Sequence, residues 1–322
     1  SRIIKLIHKV LKRLGAPINL VQSIPPSSNI NDTLELFSIV DLVVATGAQH
    51  NIKKAIKTCT PTLGVGVGNV PSIVDVSANL IEAAKKIKTS KTFDNSTSCS
   101  SENSVIVISS VYKKFINYLK KEGGVFLDNS EKKILLKKMW DDNFNLNRDL
   151  IAKEASKIVI ESGFDKNKYL KAKFLMVKEK NVGPKYLYSM EKLSPILTIY
   201  KVKNFNQALL LTDKILKNQG QGHSCSIHSK NKNNILRVGN ELPVSRVIVN
   251  QIHSFATGGS FDNGLPFSLS MGCGTWGKNI FDDNLNYKHF LNITKIVEKI
   301  EVNQPTEKKI FGKYWKKYPY MK

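Results

Sequence analysis

The sequence predicts an α/β fold in two halves, the first with the βαβ order of a parallel sheet and the second again α/β, and three observations predict it. Residues 41–66 read as strand, glycine turn, helix and strand, the order of a βαβ unit. Residues 104–108 (SVIVI) are apolar and β-branched, as a strand buried on both faces is. Beyond residue 110, helical patterns with lysine-rich outer faces alternate with further short apolar runs. The 322 residues and 41% hydrophobic content supply cores for two domains of ordinary size.

Ile3, Ile4, Ile7, Val10, Leu11 and Leu14 recur at helical spacing, and Gly15 and Pro17 end that helix. A short strand is expected over 18–24. Asp32 is the expected cap of a helix that reaches Leu36. Residues 41–44 (DLVV) form the next expected strand, which runs into Ala45, Thr46, Gly47 and Ala48; a helix over 51–59 and a strand over 62–66 follow. Ligands of parallel sheets lie at the carboxyl ends of the strands, so Gly47 falls where a cofactor would approach the backbone. Gly64, Gly66 and Gly68 in LGVGVGNVP invite comparison with a dinucleotide fingerprint. That fingerprint needs a helix next, whereas Pro71 and a strand-like 72–76 follow, so a plain loop accounts for the segment equally well. A helix over 79–87 leads into KTFDNSTSCSSENSVIV, residues 91–107. Downstream, helices are expected over 111–121, 130–140, 149–162 and 204–217, and strands over 174–177, 196–202, 223–228 and 246–250.

Cys99, the one thiol of the 91–107 stretch, is the candidate nucleophile. A cysteine attacks as thiolate and so needs a polar pocket whose donors lower its pKa; Asn95, Ser96, Thr97, Ser98 and Ser100 are placed to line one. A lone cysteine is more often a small buried apolar residue, but the hydroxyl-rich neighbourhood argues against a greasy pocket. Glu191, on a turn ahead of a strand, can accept hydrogen bonds from a ribose or stand solvated. His223 and His228 lie five apart on an expected strand and so face opposite sides, which is wrong for two ligands of one metal; they read as structural. MGCGTWGKN, residues 271–279, sets three glycines around Cys273, a tight loop with its backbone close to a ligand or to the core. The basic, aromatic tail GKYWKKYPYMK extends a partner's edge or covers the surface.

The formal charge is +23, yet only five of the 49 basic residues are Arg, and the lysines are scattered rather than interleaved with aromatics on one element. No nucleic-acid partner is expected. Cys59, Cys99, Cys225 and Cys273 stand far apart and form no C-x-x-C pair, which argues against a zinc site or a disulfide framework and for a reducing, cytoplasmic setting. No apolar run approaches the roughly 18 residues that span a bilayer, so no membrane partner is expected.

Six stretches together resemble the CoA-acylating branch of the aldehyde dehydrogenase superfamily. ATGAQH (45–50), LGVGVGNVP (63–71), KTFDNSTSCSSENSVIV (91–107), EKLSPILTIY (191–200), PVSRVIVNQ (243–251) and MGCGTWGKN (271–279) stand in that branch's order across nearly all of the chain. TSCSSEN and GCGTWG are reminiscent of its sulfoacetaldehyde-type members. The resemblance implies an aldehyde dehydrogenase-like α/β fold: a partial Rossmann-type cofactor domain over 1–90, a catalytic domain with the thiol nucleophile over 91–279, and a tail over 280–322 that packs on the cofactor domain or a partner subunit.

It further implies that Cys99 attacks a small aldehyde, that the hydride of the thiohemiacetal passes to NAD or NADP, and that coenzyme A, as co-substrate, takes the acyl group from the thioester. Water is the lesser acceptor, because Gly64 stands where hydrolytic relatives carry a basic Glu. By the same resemblance Thr46 and Gly47 border the cofactor, Val65 and Gly66 the nicotinamide, and Glu191 its ribose. Thr97, Ser98, Ser100, His253, Ser254 and Phe255 would line the substrate pocket, and the Cys99 N–H would be one oxyanion donor. Two positions depart from the pattern: Val67 stands where small residues or Pro are more usual, and Ser96 where Gly is. The family's first segment, which carries the first cofactor strands and an oxyanion-hole Asn, is expected to be missing ahead of Ser1. A catalytically impaired paralogue that serves as an assembly partner is therefore the alternative reading. A homo-oligomer, dimer or tetramer, and no metal complete the expectations.

Overall fold

Apolar β-branched runs alternate with amphipathic stretches along the chain, and in a computed structural model they become nine strands among the described residues, all paired in parallel in two sheets. The structure describes residues 2–25, 27–47 and 49–319; Ala48 of the expected glycine turn and Tyr320, Met321 and Lys322 of the tail lie outside it. Helices α1 (Arg2–Arg13) and α2 (Ile30–Ile39) precede β1 (Val43–Thr46), α3 (Gln49–Lys57) and β2 (Thr62–Val65). β1 and β2 form a two-stranded sheet in which Val43 pairs with Thr62 and Thr46 with Val65.

The larger sheet is built from β3 (Val70–Val74), α4 (Leu80–Thr92), β4 (Glu102–Ile108), α5 (Ser109–Lys121), β5 (Gly124–Phe126), α6 (Asn129–Met139), α7 (Ala155–Ser162), α8 (Lys166–Tyr169), β6 (Phe174–Lys178), β7 (Ile196–Val202), α9 (Phe205–Asn218), β8 (Cys225–His228), α10 (Lys232–Glu241), β9 (Val247–Val249) and α11 (His253–Ala256). Its strand order is β5-β6-β7-β4-β3-β8-β9. Side chains alternate across a strand, so Val105 and Val107 pack with Ala84, Ile87, Phe115 and Leu119 on one face, and Ile106 and Ile108 with Leu209, Ile215 and Leu216 on the other. Helices cover both faces of β4, which is why SVIVI is apolar without a break.

Several expected elements shift. Residues 18–24 form a 3-10 turn at Ile18–Leu20 and then irregular chain; Ile18, Leu20 and Ile24 are exposed, so nothing offsets the cost of ordering a strand. The cap of α2 is Asn29, which accepts the N–H of Asn31 and Asp32, while Asp32 accepts the Asn29 N–H at 2.8 Å and closes the capping box. α7 begins at Ala155 rather than 149, because Ala152 adopts a φ of 60° and donates its N–H to the Leu193 carbonyl. α4 runs on to Thr92, and β8 starts only at Cys225. β3 and α4 fall before residue 91 in sequence and are built into the larger sheet.

The described residues divide into two compact units between Asn286 and Tyr287. The second contains α12 (Glu307–Lys317), capped by Thr306, with the Phe311 and Trp315 rings 5.7 Å apart along it. Among the described residues no helix is long and apolar enough to cross a membrane.

This topology collects one set of residues. Gly68, Cys99, Glu191, His223 and Arg246 each stand just ahead of a strand, β3, β4, β7, β8 and β9 respectively, at the amino edge of the larger sheet. Thr46–Gly47 and Val65–Gly66 stand at the carboxyl ends of β1 and β2, and the short link from β2 to β3 joins the two edges.

Candidate active site around Cys99

Cys99 lies on the connection of residues 93–101 between α4 and β4. Asp94, Asn95 and Ser96 take φ values of 46°, 50° and 62°, a left-handed conformation that costs L-residues roughly 1–2 kcal/mol each. Side-chain hydrogen bonds hold it. Ser96 Oγ donates to the Lys91 carbonyl, Ser101 Oγ donates to Ser96 Oγ at 3.2 Å, and Asn95 Nδ2 donates to the Ala152 carbonyl at 3.2 Å. Many of the hydroxyls that seemed set to line a pocket are thus braces of the connection. Ser98 Oγ and Ser100 Oγ, on either side of Cys99 in sequence, bond each other at 2.7 Å. Thr97 is exposed, and its hydroxyl donates to the Asp94 carbonyl at 2.6 Å.

Gly68 explains one glycine of LGVGVGN. A Cβ there would stand 2.0 Å from the Cys99 carbonyl oxygen and 3.0 Å from the Cys99 Cβ, so the close approach it serves is to the backbone of the thiol residue. At Gly64 the neighbours are side chains: a Cβ there would lie 2.2 Å from Asn279 Nδ2 and 2.8 Å from Ile52 Cγ2, so the Asn279 amide would have to move to admit one.

Cys99 is half-buried, and its Sγ lies 3.3 Å from Nε2 of the fully buried His223. Nδ1 of His223 is 2.7 Å from Ser224 Oγ. In the tautomer protonated at Nδ1, that nitrogen donates to Ser224 and the Nε2 lone pair faces the thiol. Burial, helped by His253 and Arg246, keeps the imidazole neutral and pushes its pKa down to about 3. The thiol moves the other way: burial first, then the negative field of Glu191 and neighbouring Cys273, push it up to about 12 against its own backbone N–H and Arg246. The expected pKa-lowering pocket is therefore not what the fold supplies. The resting thiol is protonated, and Nε2 of the neutral His223 is the nitrogen within reach of it.

The strand expected over 223–228 starts only at Cys225, so His223 lies ahead of the strand on which it was expected. It sits in the turn before β8, after Gly220 and Gly222 with φ of 92° and 87°. A Cβ on Gly222 would be 2.1 Å from the Cys273 carbonyl, and one on Gly220 2.7 Å from the Asn69 nitrogen. That glycine pair marks where the turn packs closely on the backbone of Asn69 and of the loop at Cys273. His228, by contrast, lies within β8, where burial holds it neutral.

Glu191 is not solvated. Its carboxylate is largely buried, it accepts the Gly68 N–H, and its Oε1 has no hydrogen-bond partner. Burial pushes its pKa up to about 8 against the charges of Lys192 and Lys91 and the Gly68 N–H. Arg246 is buried; its Nε donates to Asn284 Oδ1 at 2.7 Å, Nη1 to the Gly272 carbonyl at 2.7 Å and Nη2 to the Asp282 carbonyl at 3.2 Å, which pins the loop around Cys273.

On the side of the small sheet, Thr46 and Gly47 are exposed, Val65 is buried, and the Gly47 N–H donates to the Val65 carbonyl at 3.4 Å. Gly66 opens onto a cleft of about 340 Å³ that Gln49, Lys53, Lys217, Trp276 and Lys278 also line. On the other side, Nδ1 of the buried His253 donates to the Ser100 carbonyl at 2.6 Å and the Ser254 N–H to Ser90 Oγ at 3.0 Å. The Phe255 ring packs edge-on against Phe93 at 4.8 Å. The fold thus brings His253, Ser254 and Phe255 against the Cys99 connection and its base. No group of three or more His, Cys, Asp or Glu among the described residues could hold a metal ion.

The profile of the Aldehyde dehydrogenase family matches residues 2–134. The chain is 47% identical over 313 residues to an acylating sulfoacetaldehyde dehydrogenase of Cupriavidus necator, a match that covers 97% of this chain and 63% of that protein. It is 36% identical over 319 residues to another from Bilophila wadsworthia, covering 98% and 68%. The crystal structure of an acetylating aldehyde dehydrogenase from Geobacillus thermoglucosidasius superposes with a TM-score of 0.89 at 32% identity, covering 95% of this chain and 67% of that one. The chain therefore spans about two thirds of the length of these relatives, and 63% in the first case.

Proposed function

Because this chain belongs to the aldehyde dehydrogenase family, in its acylating branch, we propose that it carries out NAD(P)-dependent, coenzyme A-acylating oxidation of a small aldehyde through Cys99. The observation that carries the reading is the 3.3 Å approach of the neutral His223 Nε2 to the Cys99 sulfur. As the sulfur bonds to the aldehyde carbon, His223 takes the thiol proton, and the Cys99 N–H serves as an oxyanion donor to the thiohemiacetal. Bound NAD or NADP would accept the hydride, and coenzyme A would supply the thiol that takes the acyl group from Cys99.

The residues present fit those groups. The unpartnered Glu191 Oε1 can accept a hydrogen bond from a ribose hydroxyl, and the backbone at Gly47 faces open space. Lys53 and Lys278 offer positive charge at the cleft beside Gly66, where Lys217 is paired with Asp213 at 2.7 Å. Glycine at position 64 supports thiol over water as acceptor, since it offers no carboxylate to activate water. We place the cofactor side on β1, α3 and β2 and the catalytic side on the larger sheet, and we include homo-oligomerisation in the reading. The names of two relatives make sulfoacetaldehyde the first aldehyde to test.

NAD(P)H formation is expected to require aldehyde and coenzyme A together and to fall about a thousandfold or more in Cys99→Ser. Turnover that persists in that variant sinks the role of Cys99. Failure of the purified chain to bind NAD(P) at all would favour the assembly-partner reading instead.

A further inference from the structure

The contact between Cys99 and His223 joins residues 124 apart, and the chain links them a second time through α11. His253, which the family resemblance places at the substrate pocket, opens that helix and is 0% exposed. Its Nδ1 lies 2.6 Å from the Ser100 carbonyl, one residue beyond the thiol. A carbonyl only accepts, so this nitrogen carries the proton. Thr257 Oγ1 donates to the His253 carbonyl at 2.7 Å and lies 3.1 Å from the same ring nitrogen, so the ring is held from its own helix as well. Burial keeps the imidazole neutral and pushes its pKa down to about 4, against the backbone of Ser100 and Cys225 and with Arg246 adding to the effect of burial.

Both ends of α11 are tied to other parts of the site. At its start the Ser254 N–H donates to Ser90 Oγ at 3.0 Å and the Phe255 ring stands edge-on to Phe93, which fixes the helix against the end of α4 where the Cys99 connection begins. Past its far end the Thr257 carbonyl accepts Asn284 Nδ2 at 3.1 Å, and Asn284 Oδ1 accepts Arg246 Nε at 2.7 Å. Arg246 leads back to His223. Its carbonyl accepts the Cys225 N–H at 3.1 Å, and beside it the Ser245 N–H donates to the Gly222 carbonyl at 3.1 Å. Hydrogen bonds thus run from the turn that carries His223 through Arg246, Asn284, Thr257 and His253 to the carbonyl next to Cys99. The Cys99 carbonyl itself packs against Gly68, so two consecutive carbonyls of the connection are fixed by two different segments.

We propose that His253 is a positioning residue that seats Cys99 against His223 by holding the Ser100 carbonyl. It acts through the backbone of the connection rather than on the reacting atoms. A misplacement of about 1 Å in a reacting group can cost on the order of a hundredfold in rate, so one buried hydrogen bond a single residue from the nucleophile has leverage on the reaction. The role rests on the reading of Cys99 as nucleophile and His223 as its base, and its test tells the failure of one from the failure of the other.

The test compares His253→Leu, which deletes the donor and keeps much of the volume, with His253→Asn, whose amide nitrogen stands where the imidazole Nδ1 does. Each is made alone and together with His223→Ala. Site-specific iodoacetamide labelling at pH 8, read by peptide mass spectrometry, reports Cys99 without aldehyde or cofactor, and the fully buried Cys225 reports loss of packing. His253→Leu is expected to slow Cys99 labelling about tenfold with Cys225 still protected, because a displaced sulfur loses its base. His253→Asn is expected to recover most of the parent rate. In the His223→Ala background the His253→Leu change is expected to alter labelling less than about twofold, since the effect runs through the base. Labelling that is unchanged or faster in His253→Leu overturns the role, as does an equal loss in His253→Leu and His253→Asn. An equal loss with and without His223, or a Cys225 that becomes reactive together with Cys99, makes His253 a folding element and overturns it too. In turnover with aldehyde and coenzyme A, kcat is expected to fall in His253→Leu with KM for the aldehyde unchanged; a raised KM with kcat kept makes His253 a substrate contact instead. Failure of the underlying reading shows separately, as His223→Ala that labels Cys99 at the parent rate, and removes the base and its seat together. With His223→Ala slowed and His253→Leu not, only the role of His253 falls.

Discussion

Replacing His223 with Ala tests the central contact directly. With the thiol pushed up to about 12, the thiolate fraction at pH 8 is on the order of one in ten thousand, against about a quarter for an ordinary cysteine near 8.5. Attack from free thiolate alone would forfeit most of the catalysis, so on the proposed reading His223, whose Nε2 lies 3.3 Å from the sulfur, takes the proton as the bond forms. General bases contribute about 10²- to 10⁴-fold. A loss of about a hundredfold in His223→Ala is the expected lower end, equal to about 2.7 kcal/mol of barrier.

The pH dependence supplies a second, independent sign. His223 has a pKa of about 3 and is neutral above pH 5, so the parent profile for acylation is expected to be nearly flat from pH 6 to 8. In His223→Ala the rate should instead follow the thiolate and climb about tenfold for each pH unit over the same range, since that range lies far below the thiol's own pKa. The assay is the pre-steady-state burst of NAD(P)H absorbance with saturating aldehyde, checked by iodoacetamide labelling of Cys99. Added imidazole should restore part of the lost rate by filling the vacated space. A His223→Ala protein that keeps more than half of the parent rate with the same flat profile would refute the assignment of His223 as base.

Two further substitutions probe the scaffold. Gly68→Ala places a Cβ 2.0 Å from the Cys99 carbonyl, so the segments must part; a loss of about 1–3 kcal/mol in chemical denaturation is expected, with Cys99 labelling changed far more than Cys225 labelling. Arg246→Met removes three hydrogen bonds to Asn284, Gly272 and Asp282 and leaves those acceptors buried, which is expected to cost about 3 kcal/mol and to increase hydrogen exchange over residues 271–284. Exchange there that matches the parent would show that the loop is held by something other than the guanidinium.

Much of the framework was legible in residue patterns. The strand at Ile196–Val202 matches its expected bounds, and the β-branched run of residues 104–108 is the buried centre of β4. The order strand, glycine turn, helix, strand over 43–65 is the parallel β1–α3–β2 unit. The misses share a cause. Residues 18–24 have strand-like composition but nothing to pair with in the described structure, and helix α7 lost its first turns because the Ala152 N–H is taken by Leu193, far along the chain. Glu191 was open between a ribose acceptor and a solvated carboxylate, because a turn ahead of a strand does not say what covers it; here it is buried and accepts the Gly68 N–H. The family resemblance supplied the expected partners of these residues, and the comparisons support it at the level of the acylating branch.

The sequence by itself determined the alternation of helices and strands, the place of Cys99 just ahead of a buried strand, and the glycines that permit tight backbone approach. These follow from short-range preferences, namely periodicity, β-branching and freedom at positive φ, which neighbouring residues encode. Tertiary structure alone decided that His223, 124 residues away, would meet the sulfur and that the thiol's pKa would rise rather than fall. It also decided that His253 would reach the carbonyl beside Cys99, and that the site would form at the amino edge of the larger sheet. Those outcomes depend on the distances and local dielectric between segments remote in sequence, and no pattern within a single segment carries that information.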